Sequence, residues 1–168
     1  MIPSRVRPAP DADERSLLLG WLNLQRSIIH WKCEGLSEAD AHRVVLPTSP
    51  NMTMAGLVSH LRWTEHVWFE VILLDSPSDP NPQFADEPDA DMLVADVPMA
   101  QLLDDYARQC ATADEIIAGL PLDTVARHAR YGGATLRWIL LHMLEETARH
   151  AGHADTIREL LDGTTGYY

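Results

Sequence analysis

The 168-residue chain predicts an all-α four-helix bundle that forms one domain over residues 1–168. Three observations carry that expectation. Four long stretches repeat apolar residues at steps of three and four, the spacing of one helical face. No run alternates with the period of two that a half-buried strand needs. A proline-rich connection of some twenty residues between the second and third stretches is long enough to cross a bundle from end to end.

Residues 1–10 hold three prolines and predict an irregular lead-in. The first helix starts near Asp11 or Asp13, where a carboxylate favours the positive end of the helix dipole. Leu17, Trp21, Leu24, Ile28 and Trp31 form its apolar stripe, His30 lies well off that stripe, and Gly35 ends the helix. Ser37-Glu-Ala-Asp40 resembles a capping box and opens a short helix that fades by Val45. Pro47 and Pro50 keep the next stretch irregular.

The second long helix runs from about Thr53 to Leu74. At about 100° per residue, Leu57, Val67, Trp68 and Val71 all fall within about 80° of His60, which places His60 on the apolar stripe. His66 falls about 120° away and is expected to face solvent. Residues 76–96 hold four prolines, six acids and no basic residue, which predicts an extended, solvated connection rather than a packed element. A merely disordered acidic loop is as good a reading of it as a binding role. With so long a link, helices two and three need not be antiparallel neighbours.

The third helix follows Pro98 and places Met99, Leu102, Leu103, Tyr106, Cys110, Ala113 and Ile117 on one face. Gly119-Leu-Pro121 stops it. Residues 122–134 lead through Gly132-Gly133 into the last helix, Leu136 to Leu161, with Gly163 as its stop.

Composition narrows the function. The net charge of -12 argues against nucleic acid or an anionic membrane as the main partner, because both need clustered cations. No apolar run is long enough to span a membrane, and the opening residues lack an apolar signal core, so a cytoplasmic protein is expected. Cys33 and Cys110 are too few and too separated for a disulfide framework or a thiolate metal site. Cys33 has no assignable base that would make it a nucleophile, and neither a nucleophile-elbow nor a phosphate-binding glycine loop is present.

The last helix concentrates the unusual chemistry. Counting from His142, Glu146 falls at about 40°, His150 at about 80° and His153 at about 20°, among the core residues Ile139 and Ile157 at about 60°. Ionisable groups on a buried stripe need a partner or an ion. Glu146 and His150 are one turn apart and can point at one ion, with His60 of helix two as the third donor. Two imidazoles and one carboxylate leave room for a further ligand, as in catalytic zinc sites, and the same set suits iron or nickel. The same residues also fit a hydrogen-bonded pair that only satisfies buried polar groups, or a helix turned so that they face water. His142 and His153 are rivals for the ligand role, better placed as neighbours, and Glu145 should face solvent. Trp31, Trp63, Trp68 and Trp138 are candidates for a pocket wall, although aromatics in a bundle are usually core.

The stretches Gly56-Leu-Val-Ser-His60-Leu-Arg-Trp-Thr-Glu-His-Val-Trp-Phe69 and His142-Met-Leu-Glu-Glu146-Thr-Ala-Arg-His150-Ala-Gly-His-Ala-Asp155 resemble the DinB-like (YfiT-like) superfamily of metal-binding four-helix bundles. The likeness is greatest to its mini-circle-type actinobacterial subgroup, and covers nearly the whole chain, including Lys32-Cys-Glu-Gly-Leu36. It implies an up-down-down-up bundle with a long crossover between helices two and three. Many members use one His from helix two and a His-x-x-x-His pair from the last helix. Glu146 stands at the first position of that pair, as in the mycothiol-dependent maleylpyruvate isomerases, so the resemblance implies His60, Glu146 and His150 as ligands.

By the same resemblance the protein is a divalent-metal-dependent S-transferase, zinc being the first choice of metal. Its substrates would be a low-molecular-weight thiol of the mycothiol type and an unidentified electrophile. Of 13 basic residues only Lys32 is lysine, a bias of GC-rich genomes that agrees with mycothiol. The isomerases carry a further C-terminal domain that has no counterpart here, which makes maleylpyruvate a poor substrate candidate. A metal-dependent hydrolase and a non-catalytic metal-binding or stress-related bundle are the alternatives, and a homodimer is compatible with the helical stripes. A role on DNA follows only from the superfamily's name, and the charge opposes it.

Overall fold

In the computed structural model, which describes residues 5–77, 81–95 and 97–166, four long helices carry the fold. Helix α1 spans Glu14–Cys33. Its first turn is closed by Asp13, whose carboxylate accepts from the Ser16 amide, and Gly35 follows its end at φ 74°. The short α2, Glu38–Ala41, is capped by Ser37. Helix α3, Met54–His66, starts at the Thr53 hydroxyl, which accepts from the Gly56 amide. It continues as a π-helical stretch, Val67–Ile72. Helix α4, Met99–Ala118, ends at Gly119. Helix α5, Leu136–Asp162, is capped by Thr135 and ends at Gly163, φ 74°. Among the described residues the only β-pairing is a single bridge between Val125 and Thr135.

The apolar side chains gather in two clusters. One joins Leu24, Ile28, Leu57, Leu61, Tyr106 and Ile157, and the other joins Leu22, Phe69, Ile72, Ile117, Ile139 and Met143. On α3 the break between them falls between Leu61 and Val67, and on α5 between Met143 and Ala151. Glu65 lies in the first break and Glu146 and His150 in the second, so the polar groups sit between two apolar regions. Arg26, 1% exposed, spans the first break: its guanidinium pairs with Glu65, itself 0% exposed, through bonds of 2.6 and 2.7 Å. It also reaches Asp114 on α4 at 2.7 Å.

Cross-links fix which helix ends meet. Arg137 at the start of α5 binds Glu14 at the start of α1, and Lys32 at the end of α1 pairs with Asp155 late in α5. Arg15 near the start of α1 donates to the carbonyls of Ile117 and Leu120 at the end of α4.

Three expectations need correction. The 76–96 connection is seated on the bundle at two points rather than solvated throughout: Asn81 and Asp91 are buried, while residues 84–89 between them stay exposed. It folds into two short 3-10 turns, Pro82–Phe84 and Ala90–Met92, and lies against α3. Its close approach rests on Gly56: a Cβ there would sit 2.4 Å from the Asn51 carbonyl oxygen and 2.9 Å from that of Met92. His30 is buried and stacks on Tyr106, because α1 is enclosed on nearly every side from Leu24 to His30, well beyond its predicted stripe. His66 is half-buried and bonds to Glu70 at 2.9 Å, its exposure being limited by this pairing along α3.

Gly56→Ala is expected to destabilise the protein by about 1–3 kcal/mol, since the methyl group meets backbone on both sides rather than a side chain that can rotate away. Urea unfolding of the variant checks this. An unchanged midpoint would mean that the crossover does not need this close seat.

Candidate metal centre

The bundle brings His60, Glu146 and His150 together. His60 projects from α3, and Glu146 and His150 from successive turns of α5. Nε2 of His60 lies 3.3 Å from Oε1 of Glu146, and Nε2 of His150 lies 3.1 Å from the same oxygen. The imidazoles are tilted, with centroids 4.7 Å apart, and one donor atom from each of the three residues lies within 4.8 Å of the others. A tetrahedral ion with bonds of about 2.0–2.2 Å holds its donors about 3.3–3.6 Å apart, so the group fits one small divalent ion once the donors draw together by about an ångström or less.

A partner that the sequence did not reveal completes the arrangement. Asp91, from the second turn of the crossover and 6% exposed, accepts from Nδ1–H of His60 at 2.7 Å. That bond fixes the orientation of the ring, with Nδ1–H on Asp91 and Nε2 facing Glu146. Gln83 donates to the same Asp91 oxygen at 2.8 Å and to the Thr64 hydroxyl at 2.9 Å. Ser59 donates to the Asp91 carbonyl at 2.6 Å. This is the carboxylate–imidazole support that ligating histidines use. In the sequence Asp91 is one acid among many in an aperiodic segment, so no local signal separates it from Asp86, Glu87 or Asp89.

The remaining candidates fall beside the three. Nδ1 of His153 is 3.3 Å from Nδ1 of His150, on the side away from Glu146. His142 stacks on Trp138 and lies across Trp68, ring centroids 5.4 and 4.3 Å away. Glu145 is exposed and pairs with Arg149. A cavity of about 430 Å³ opens at the site, with His60, Glu146, Thr64, Trp68 and His142 among its walls. Trp63 borders a different cavity, Trp31 is covered by Arg5 and Lys32, and Trp138 is 46% exposed. Cys33 and Cys110 are both buried. Burial pushes the Cys33 thiol up to about 12 and raises that of Cys110 as well, so neither is a ready thiolate.

The electrostatics follow from the contacts. Burial disfavours the His60 cation, but hydrogen bonds to Asp91 and Glu146 outweigh it and raise His60 to about 9. The bonds from His150 and His60 hold the Glu146 carboxyl well below the usual range. Burial opposes ionisation of Asp91, yet its bonds to His60 and Gln83 prevail and lower it. Burial, then the neighbouring His150, lowers His153.

Because the folded pKa of His60 is raised, its stabilising charge is fully present below the ordinary value of 6.5 and is lost as pH rises through about 9. Glu146 and Asp91 act in the opposite direction. Their contribution is full above the ordinary carboxylate range and is lost as pH falls below it through their lowered folded values. A metal held by these three residues would have to displace the His60 proton, so divalent-ion affinity is expected to rise with pH up to about 9. Near neutrality, binding should release a proton, read by calorimetry in two buffers of different ionisation enthalpy. Equal heats in both would show that His60 is not a ligand.

A helical bundle with two imidazoles and a carboxylate converging beside an open cavity defines a candidate metal-binding protein. The model of the mycothiol S-transferase family, a DinB-like family, matches residues 17–163, and the chain belongs to that family. Comparisons with curated proteins and with solved structures return no match. Among the described residues no helix is long and apolar enough to cross a membrane.

Proposed function

We propose that the protein is a divalent-metal-dependent mycothiol S-transferase, with His60, Glu146 and His150 as metal ligands and zinc as the best match to that donor set. The observation that carries this reading is the convergence of both Nε2 atoms on one Glu146 oxygen beside a cavity, in a chain of this family. When bound, the ion supplies Lewis acidity that favours the thiolate form of a thiol. The chain's own residues do the rest. Asp91 holds Nδ1–H of His60 so that Nε2 is the ring nitrogen facing the site, Glu146 offsets one positive charge, and Trp68 and His142 wall the space where two substrates can meet. The overall order is up-down-down-up. Support comes from the pairing of like ends of α1 and α5 through Glu14–Arg137 and Lys32–Asp155.

Zinc-loaded protein is expected to accelerate mycothiol consumption by a small alkylating electrophile, with the rate lost on chelation and restored by zinc. Mycothiol should also raise the melting temperature of the zinc form above that of the chelated form. Turnover that persists without thiol would replace this reading with hydrolysis.

A further inference from the structure

We infer that the electrophile taken by this site is cationic, bearing an ammonium-type group, and that anionic electrophiles are excluded; the inference rests on the transferase reading of the same cavity. Four carboxylates line the cavity: Glu146 and Asp91 at its inner end, and Glu87 and Asp89, both exposed, on the crossover. Among the described residues no lysine or arginine lines it. Arg149, outside the lining, is 4.0 Å from Oε2 of Glu146 and is already paired with Glu145.

Charge counting then decides the sign of the second substrate. A divalent ion is offset by Glu146 and by a thiolate, which leaves Asp91, Glu87 and Asp89 as uncancelled negative charge around the free space. An incoming carboxylate or phosphate meets that field with no cation to receive it. The aromatic residues of the same cavity add a second, independent preference. Trp68 and His142 both line the cavity, their ring centroids 4.3 Å apart, and Tyr131 and Trp138 pack on Trp68 at 4.9 and 5.6 Å. An aromatic ring in a cavity lined by carboxylates is the setting in which an alkylammonium group is held by cation–π attraction and ion pairing together. The structure thus gives the crossover two tasks. Asp91 steadies a proposed ligand, and Glu87 and Asp89 set which substrates enter.

The reaction balances with a haloacetyl electrophile. The thiol gives its proton to solvent, its sulfur forms the bond to the methylene carbon, and the carbon–bromine pair leaves as bromide. Three bromoacetamides that differ only in an N-linked tail test the inference: trimethylammonioethyl, hydroxyethyl and carboxyethyl. The zinc-loaded protein is used with mycothiol, and the uncatalysed rate of each compound is subtracted. The cationic compound is expected to exceed the anionic one about tenfold or more in kcat/KM, and Glu87→Gln with Asp89→Asn should shrink that ratio severalfold. Calorimetry with the corresponding unreactive acetamides gives a readout separate from turnover. The ammonium compound should bind, and Trp68→Leu should weaken it, while the carboxylate should not bind.

Equal binding of the three acetamides, or tighter binding of the carboxylate, would overturn the inference. Selective binding of the ammonium compound without turnover of any bromoacetamide would leave the cavity's preference standing and remove the transferase reading instead.

Discussion

Arg26→Ala is expected to destabilise the protein by about 3–5 kcal/mol. Arg26 and Glu65 are both essentially inaccessible, and the guanidinium meets the carboxylate through two nearly parallel bonds of 2.6 and 2.7 Å. Removing the arginine leaves Glu65 with a buried charge and a weak contact from the Cys110 thiol at 3.9 Å. Asp114, 45% exposed, loses far less because water replaces its partner. The desolvation left behind, not the attraction removed, sets the size of the effect. Pairing Arg26→Met with Glu65→Leu should therefore recover most of the loss, since an apolar pair of similar volume needs no compensation. Urea unfolding of the two single variants and the pair forms the cycle. A single variant within about 1 kcal/mol of the parent would mean that water reaches Glu65.

His60→Ala is expected to abolish stoichiometric zinc binding and, with it, thiol transfer. Two donors on one turn of α5 cannot fix an ion against competing water, and His60 is the donor that ties α3 to them. Asp91→Asn retains all three donors but exchanges a charged acceptor for a neutral amide on Nδ1 of His60. Its expected effect is a fall in zinc affinity of about 10–100-fold, the usual range for loss of such support. Metal content after dialysis and calorimetric titration distinguish the two variants. Full zinc occupancy in His60→Ala would remove the proposed triad. An unaltered affinity in Asp91→Asn would leave the triad in place and assign the Asp91 bond to holding the crossover.

The four long helices were legible because their causes are local. Capping side chains such as Asp13, Thr53 and Thr135, stop glycines such as Gly35 and Gly163, and apolar spacing each act within a turn or two. The first helix shows the limit of that reading. A stripe of Leu17, Trp21, Leu24, Ile28 and Trp31 identifies a helix. It does not say that His30 is enclosed as well, because burial on a second side depends on what else packs there. The crossover was misread for a related reason: prolines and acids describe a chain that can stay solvated, while its seat on α3 depends on the space left at Gly56.

The sequence by itself determined that Glu146 and His150 share a face of the last helix, since a spacing of four fixes that whatever the fold. It also placed His60 on the apolar side of the second long helix. Tertiary structure alone decided that both imidazoles meet one oxygen of Glu146, that Asp91 rather than its acidic neighbours supports His60, and that Arg26 and Glu65, 39 residues apart, neutralise each other in the interior. Periodicity reports which way a side chain points relative to its own helix. Which charge it meets there is set by how separate elements pack, and no local pattern records that.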